Sequence, residues 1–269
     1  METKKVTPTV LRRMKERGEK IITMPVYDYP FAKILDECGV DVLLIGDSLS
    51  TTMMGRRDDI FCTLDEIILH TQAVARAAQR AMVIADMPFM SYQINIDEAK
   101  RNAGRLMQQG EADAVKVEGG VEVAETIRAL VRAGIPVMGH IGYGGQAFKL
   151  EGVRRVGGRT EEDRQRLLKD AKAVEEAGAF IIGLELLTME MAQEITKMLK
   201  IPTSGPGSGP HCDGSGLNIY DVIGLSPPGF APRFVKRYAN VREIIAEAVK
   251  QFMKEVKDGS FPDEEHSFH

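Results

Sequence analysis

The sequence predicts a (β/α)8 TIM-type barrel, and three observations carry that prediction. Short apolar runs alternate with longer amphipathic ones from one end to the other, as in a parallel sheet covered by helices. Eight such runs can be counted, each followed by a crossover, and no Gly-x-Gly-x-x-Gly turn opens the first unit as a dinucleotide-binding sheet would require. The 269 residues suit one barrel, which needs roughly 250.

The predicted strands are Ile21–Val26, Val42–Ile45, Met82–Ala85, Ala114–Val117, Pro136–Gly139, Phe180–Leu184, Ile201–Ser204 and Val222–Leu225. Most are rich in Val and Ile and bounded by Gly, Asp or Pro, the pattern of strands buried on both faces. Helical spacing covers Phe31–Glu37, Leu64–Ala78, Ile96–Gln109, Val121–Arg132, Glu161–Ala177 and Met189–Leu199. Stop signals stand at Cys38-Gly39, Gln109-Gly110, Ala133-Gly134 and Ala177-Gly178. Start signals stand at Asn95 and at Thr160, where Asp163 three places on completes the pattern of a capping box. With no linker, repeat or change of composition, the reading is one domain over residues 1–269. Residues 233–257 are expected as C-terminal helices and 258–269 as a tail.

Hydrophobic residues make up 43% and charged residues 28% of the chain, ordinary for a water-soluble globular protein. No apolar run reaches the roughly 18–20 residues that span a bilayer, and Met1–Lys20 has no apolar leader region. Cys38, Cys62 and Cys212 are odd in number and widely spaced, which points to a reducing cytoplasm. A net charge of −4 with dispersed Lys and Arg excludes the basic stripe that nucleic acid demands. Arg154, Arg155 and Arg159 read as solvated loop charge, His70 as a packed or surface histidine, His266 and His269 as a polar tail, and Cys212 as loop filler.

In such barrels the reactive groups sit where strands end. Strand one ends at Asp28, strand two at Asp47-Ser48, strand three at Asp86, strand four at Glu118, strand five at His140 and strand six at Glu185. One such acid is ordinary turn chemistry; six successive ionisable ends toward one rim are not. Lys116 lies inside an apolar run and needs a partner there; Glu118, two residues on, faces the same side of the strand. Asp47, Asp86 and Glu118 suit a hard divalent cation such as Mg²⁺, whereas no Cys or His spacing suits zinc.

Four long motifs resemble the ketopantoate hydroxymethyltransferase family, a relative of the phosphoenolpyruvate mutase and isocitrate lyase group. They are Ile45-Gly46-Asp47-Ser48-Leu49, Ala85-Asp86-Met87-Pro88-Phe89, Val115–Gly120 and Gly134–Gly142, with Tyr27–Ala32 and Phe261–Phe268 in support. The resemblance implies Mg²⁺ or another divalent cation at Asp47, Asp86 and Glu118. It implies a small 2-oxo acid substrate, 2-oxoisovalerate, bound with the help of Ser48, Asp47, Asp86, Lys116 and His140. It also implies Glu185 as the proton-handling carboxylate with His140 and Lys116 beside it, 5,10-methylenetetrahydrofolate as one-carbon donor, and assembly into a homo-oligomer, a decamer.

The sequence departs from the family pattern on loops around the expected mouth. The glycine after Asp-Ser-Leu is Ser50, the Leu-x-Pro-Gln stretch is Tyr143-Gly144-Gly145-Gln146, and the loop after strand seven reads Gly205-Pro206-Gly207-Ser208-Gly209. Asp-Gly-Gln is Asp213-Gly214-Ser215, and Arg56–Cys62 replaces a Thr- and Val-rich stretch. Two alternatives follow: a diverged enzyme for another 2-oxo acid or an aldehyde (aldolase, lyase, or hydrolase of a C–C or C–O bond), and a barrel that binds without turnover.

Overall fold

The computed structural model describes residues 4–147, 155–226 and 232–269. The chain divides into two compact units, Met1–Asn218 and Ile219–His269.

In the first unit eight parallel strands close into a barrel in chain order. They are β1 (Ile21–Pro25), β2 (Val42–Ile45), β3 (Met82–Asp86), β4 (Ala114–Glu118), β5 (Val137–Gly142), β6 (Ile181–Glu185), β7 (Thr203–Ser204) and β8 (Gly214–Ser215). The predicted strand Val222–Leu225 is therefore a correction: β8 is a Gly-Ser pair that bonds to Ile21 and Ile22 of β1. An apolar run cannot reveal such a strand.

Around the barrel stand α2 (Tyr29–Glu37), α3 (Leu49–Thr52), α4 (Leu64–Ala77), α5 (Ile96–Gln108), α6 (Ala124–Arg132), α7 (Glu161–Ala177) and α8 (Met189–Met198). They begin and end for local reasons. Thr63 and Glu66 form a reciprocal capping box on α4, Asn95 accepts from Glu98 N–H at the head of α5, and Gly178 ends α7 with φ 103°. At Thr160 only half of the expected box forms: the hydroxyl accepts from Asp163 N–H, while the Asp163 carboxylate accepts from Gly158 N–H. The predicted helix Val121–Arg132 opens as a 3-10 turn, Val121–Val123, before α6 begins.

A helix absent from the sequence reading, α1 (Pro8–Glu16), starts at the Thr7 cap with proline in its first turn. Its Leu11 and Met14, with Val6, pack with Ile21, Val42, Leu44, Met82, Ile84, Ala114, Met138 and Ile181 in one core cluster. These are the early strand positions, so the apolar core fills the N-terminal end of the barrel. Alternation then carries β3 to β6 to polar residues toward the other end: Met82, Ile84, Asp86; Ala114, Lys116, Glu118; Met138, His140; Ile181, Gly183, Glu185. That gradient positions the site.

The loop after β2 is tied by the Arg56 guanidinium, which donates to both Glu66 oxygens (2.9 and 2.5 Å) and to the Phe61 carbonyl. Hydrogen bonding from Arg56 is the main reason that the Glu66 carboxyl falls to about 2. A lowered carboxyl stabilises the fold above its unfolded value and loses that contribution as pH falls through the folded value. The stability gap between wild type and Glu66→Gln is expected to stay under about 1 kcal/mol. It should be present above pH 4.5 and close as pH approaches about 2, read from thermal midpoints across pH.

The second unit holds α9 (Ile219–Val222) and α10 (Val241–Asp258). The helical pattern expected from residue 233 starts only at Val241, so Val235 and Tyr238 precede it. Gly259, with φ 77°, ends α10, and the tail returns to place Phe261 edge-on to Phe252 at 5.7 Å between centroids. Among the described residues no helix is long and apolar enough to cross a membrane.

Candidate active site

Strand register brings the strand-end residues together. Asp86 pairs with Lys116, Glu118 with His140, His140 with Gly183, and Gly142 with Glu185 across successive strands. Asp47 follows β2 and its backbone N–H donates to Asp86 Oδ2 at 3.1 Å. As a result Asp47, Asp86 and Glu118 each offer a carboxylate oxygen within 4.8 Å of the others.

Lys116 spans the group, donating to Asp86 Oδ2 at 2.8 Å and Glu118 Oε1 at 3.2 Å. His140 continues it, with Nδ1 3.2 Å from Glu118 Oε1 and Nε2 3.2 Å from Glu185 Oε2. Asp47, Asp86, Lys116 and His140 are buried, the Glu118 side chain is nearly so, and the Glu185 side chain keeps 29% of its exposure.

The electrostatics follow from burial and crowding. Asp47 rises well above the ordinary carboxylate range, first because it is buried and then because Glu118 and Asp86 repel its charge. Asp86 also rises by burial, with Lys116 opposing the shift. Glu118 goes the other way: burial would raise it, but Lys116 and His140 together hold it at about 2. Burial and Lys116 oppose a charge on His140, yet Glu118 and Glu185, one at each ring nitrogen, lift it to about 9. Two of the three acids thus carry an unmet demand for positive charge beyond what Lys116 supplies. Asp86 Oδ1 is buried with no hydrogen-bond partner among the described residues. An orphaned anionic oxygen beside two other carboxylates fits a hard divalent cation.

Other predicted residues fall in different places. Ser48 stands at the head of α3, its hydroxyl 2.7 Å from the Tyr27 hydroxyl. Asp28 caps α2 by accepting from Phe31 N–H at 2.9 Å and does not join the carboxylate group. His70 is half-buried against the Tyr27 carbonyl, and Cys212 is buried. Arg155 and Arg159 are exposed, and Arg154 lies outside the described residues.

The serine departures are explained by backbone, not by the carboxylates. Ser50 Oγ donates to Asp58 O at 2.8 Å. Ser208 Oγ donates to Leu184 O at 2.6 Å and accepts from Leu187 N–H at 2.9 Å. Ser215 Oγ donates to Gly205 O at 3.4 Å. Gln146, the glutamine that the same varied loop keeps, reaches the carboxylates instead: its amide donates to Asp47 Oδ2 at 3.0 Å. Sequence reasoning treated Gln146 only as part of a varied loop and missed Tyr92, which donates to Gln146 Oε1 and to Glu118 O.

Gly183 makes room for His140. A Cβ there would lie 2.9 Å from the imidazole Cδ2 and 3.3 Å from Met138 Cε. Gly183→Ala is expected to lower the unfolding free energy by about 1–3 kcal/mol, read from denaturant melts, because the ring is held at both nitrogens by Glu118 and Glu185.

The profile of the ketopantoate hydroxymethyltransferase family matches residues 5–264. The 3-methyl-2-oxobutanoate hydroxymethyltransferase of Geobacter metallireducens is 51% identical over 265 residues, covering 98% of this chain and 99% of that one. Its namesake from Syntrophus aciditrophicus is 48% identical over 265 residues, covering 98% and 97%. Among solved structures, 2,3-dimethylmalate lyase, a PEP mutase/isocitrate lyase superfamily member, shares the fold with a TM-score of 0.58 at 20% identity, covering 97% and 91%. Matched from near its start to near its end, and at about half of all positions, the chain belongs to the ketopantoate hydroxymethyltransferase family.

Proposed function

We propose that this chain enolises 2-oxoisovalerate and adds to it the one-carbon unit of 5,10-methylenetetrahydrofolate, with water supplying the hydroxyl, to give ketopantoate in pantothenate biosynthesis. The observation that carries this reading is the buried Asp47–Asp86–Glu118 group, spanned by Lys116 and continued through His140 to Glu185. Asp47, Asp86 and Glu118 would hold a divalent cation, Mg²⁺, on their clustered oxygens. When bound, such an ion acts as a Lewis acid toward the keto and carboxylate oxygens of a 2-oxo acid and favours loss of the C3 proton.

The protein's own groups account for the rest. Lys116 has three N–H donors and gives two to Asp86 and Glu118, so one remains for a substrate oxygen. The Ser48 hydroxyl, anchored on Tyr27, serves the same substrate end. His140 holds Glu185 Oε2 by its Nε2, which fixes the carboxylate and leaves Oε1 to receive the C3 proton. Water takes over the folate's methylene carbon: both of its C–N bonds break, the two nitrogens take water's protons to leave as tetrahydrofolate, and the C3 carbanion adds to the carbonyl carbon so released, its alkoxide taking back the proton held on Glu185.

The serine departures support retention of this reaction, because their hydroxyls are engaged by backbone. A homo-oligomer, decameric as in the family resemblance, and a cytoplasmic location complete the proposal. Incubation with 2-oxoisovalerate, 5,10-methylenetetrahydrofolate and Mg²⁺ is expected to yield ketopantoate. No product at saturating levels of all three would overturn the assignment.

A further inference from the structure

Gln146 lies in the 3-10 turn Gly145–Ala147 after β5 and is buried, with 8% of its surface exposed. Its amide nitrogen donates to Asp47 Oδ2 and to the Met87 carbonyl, each at 3.0 Å. Its amide oxygen accepts from the Tyr92 hydroxyl at 2.8 Å and the Gln93 amide at 3.0 Å. Its backbone N–H donates to Glu118 Oε2 at 3.4 Å.

Donor and acceptor accounting decides which way this amide faces. The Met87 carbonyl can only accept, so a reversed amide would set oxygen against oxygen. Gln93 is itself oriented, because its oxygen accepts from Tyr92 N–H at 3.3 Å and its nitrogen must then face Gln146. Tyr92 shares one proton between Gln146 Oε1 and the Glu118 carbonyl, joining this loop to the strand that carries Glu118. The side chain therefore touches Asp47 with a donor that cannot rotate away.

We propose that Gln146 is a positioning residue for the cation site, its locked amide fixing the rotation of the Asp47 carboxylate while Tyr92 fixes the amide. The inference rests on the cation reading of Asp47, Asp86 and Glu118. A carboxylate left free to turn about its Cβ–Cγ bond would have to be ordered on each binding event. A neighbour that holds the ligand beforehand commonly changes metal affinity by about 10–100-fold.

The test is a titration of the full chain with Mn²⁺, with free ion read by electron paramagnetic resonance. Wild type, Gln146→Met, Tyr92→Phe and Asp47→Asn are compared, with thermal midpoints measured in chelator. Gln146→Met, similar in size but without donors, is expected to weaken Mn²⁺ binding by about 10-fold or more, and Tyr92→Phe to weaken it less. Turnover of both variants should climb toward wild type as Mn²⁺ is raised, a recovery that a general packing defect would not give. Wild-type Mn²⁺ affinity in both variants, alongside loss in Asp47→Asn, would overturn the role of Gln146 alone. Absence of binding by the wild-type chain would overturn the cation reading and this inference with it.

Discussion

Replacing Glu185 with glutamine is expected to lower kcat for ketopantoate formation by about 10²–10⁴-fold while leaving 2-oxoisovalerate binding nearly unchanged. Glutamine keeps the size of the side chain and can still meet His140, which lies 3.2 Å from Oε2. It cannot accept the C3 proton. Because Glu185 is absent from the carboxylate group that would hold the cation, Mn²⁺ affinity should survive the change. Steady-state kinetics paired with an equilibrium binding measurement checks this; equal losses in kcat and in binding would remove Glu185 from proton handling and make it a structural residue.

The second large effect concerns Lys116. Lys116 is 6% exposed, its ammonium held between Asp86 and Glu118, and those charges, with Asp47, keep it protonated well above the ordinary lysine range although burial acts against it. Lys116→Met leaves the three clustered carboxylates with His140 as the one cationic side chain of the described residues held against them. Removing one partner of a buried ion pair costs about 3–5 kcal/mol, so a drop of that order is expected in chelator. Divalent cation should restore part of it, because it supplies the missing positive charge at the same oxygens. Thermal melts with EDTA and with Mg²⁺ read both effects. A melt insensitive to the mutation in chelator would show that Lys116 carries no share of the charge balance there.

Most of the barrel was legible because its central strands are long apolar runs ending in a charge. β2 and the helix Glu161–Ala177 appear within the residues that the periodicity gives. β7 and β8 are two residues each, Thr203–Ser204 and Gly214–Ser215; their place comes from barrel closure, a tertiary fact without hydrophobic periodicity. Val222–Leu225 misled for the converse reason, since its apolar character belongs to the end of α9 and the turn after it. The α1 helix had a signal in Thr7-Pro8 that was outweighed by the charged residues around Leu11 and Met14.

At the site, residues that end strands could be aligned by counting, and Asp47, Asp86, Glu118, Lys116, His140 and Glu185 do come together. Asp28 obeyed the same count and turned out to be a helix cap, the ordinary fate of an Asp before Pro-containing helix starts. Tyr92 and Gln146 could not be found that way. They sit on loops 54 residues apart, and nothing in their local sequence says that the loops meet.

Hydrogen–deuterium exchange at C3 of 2-oxoisovalerate, in D₂O and without folate, tests the central claim most directly. The wild-type chain is expected to exchange that proton with Mg²⁺ present and to stop when EDTA removes it. Exchange at the same rate in EDTA, or none at saturating substrate and Mg²⁺, would contradict a cation-assisted enolising site at Asp47, Asp86 and Glu118.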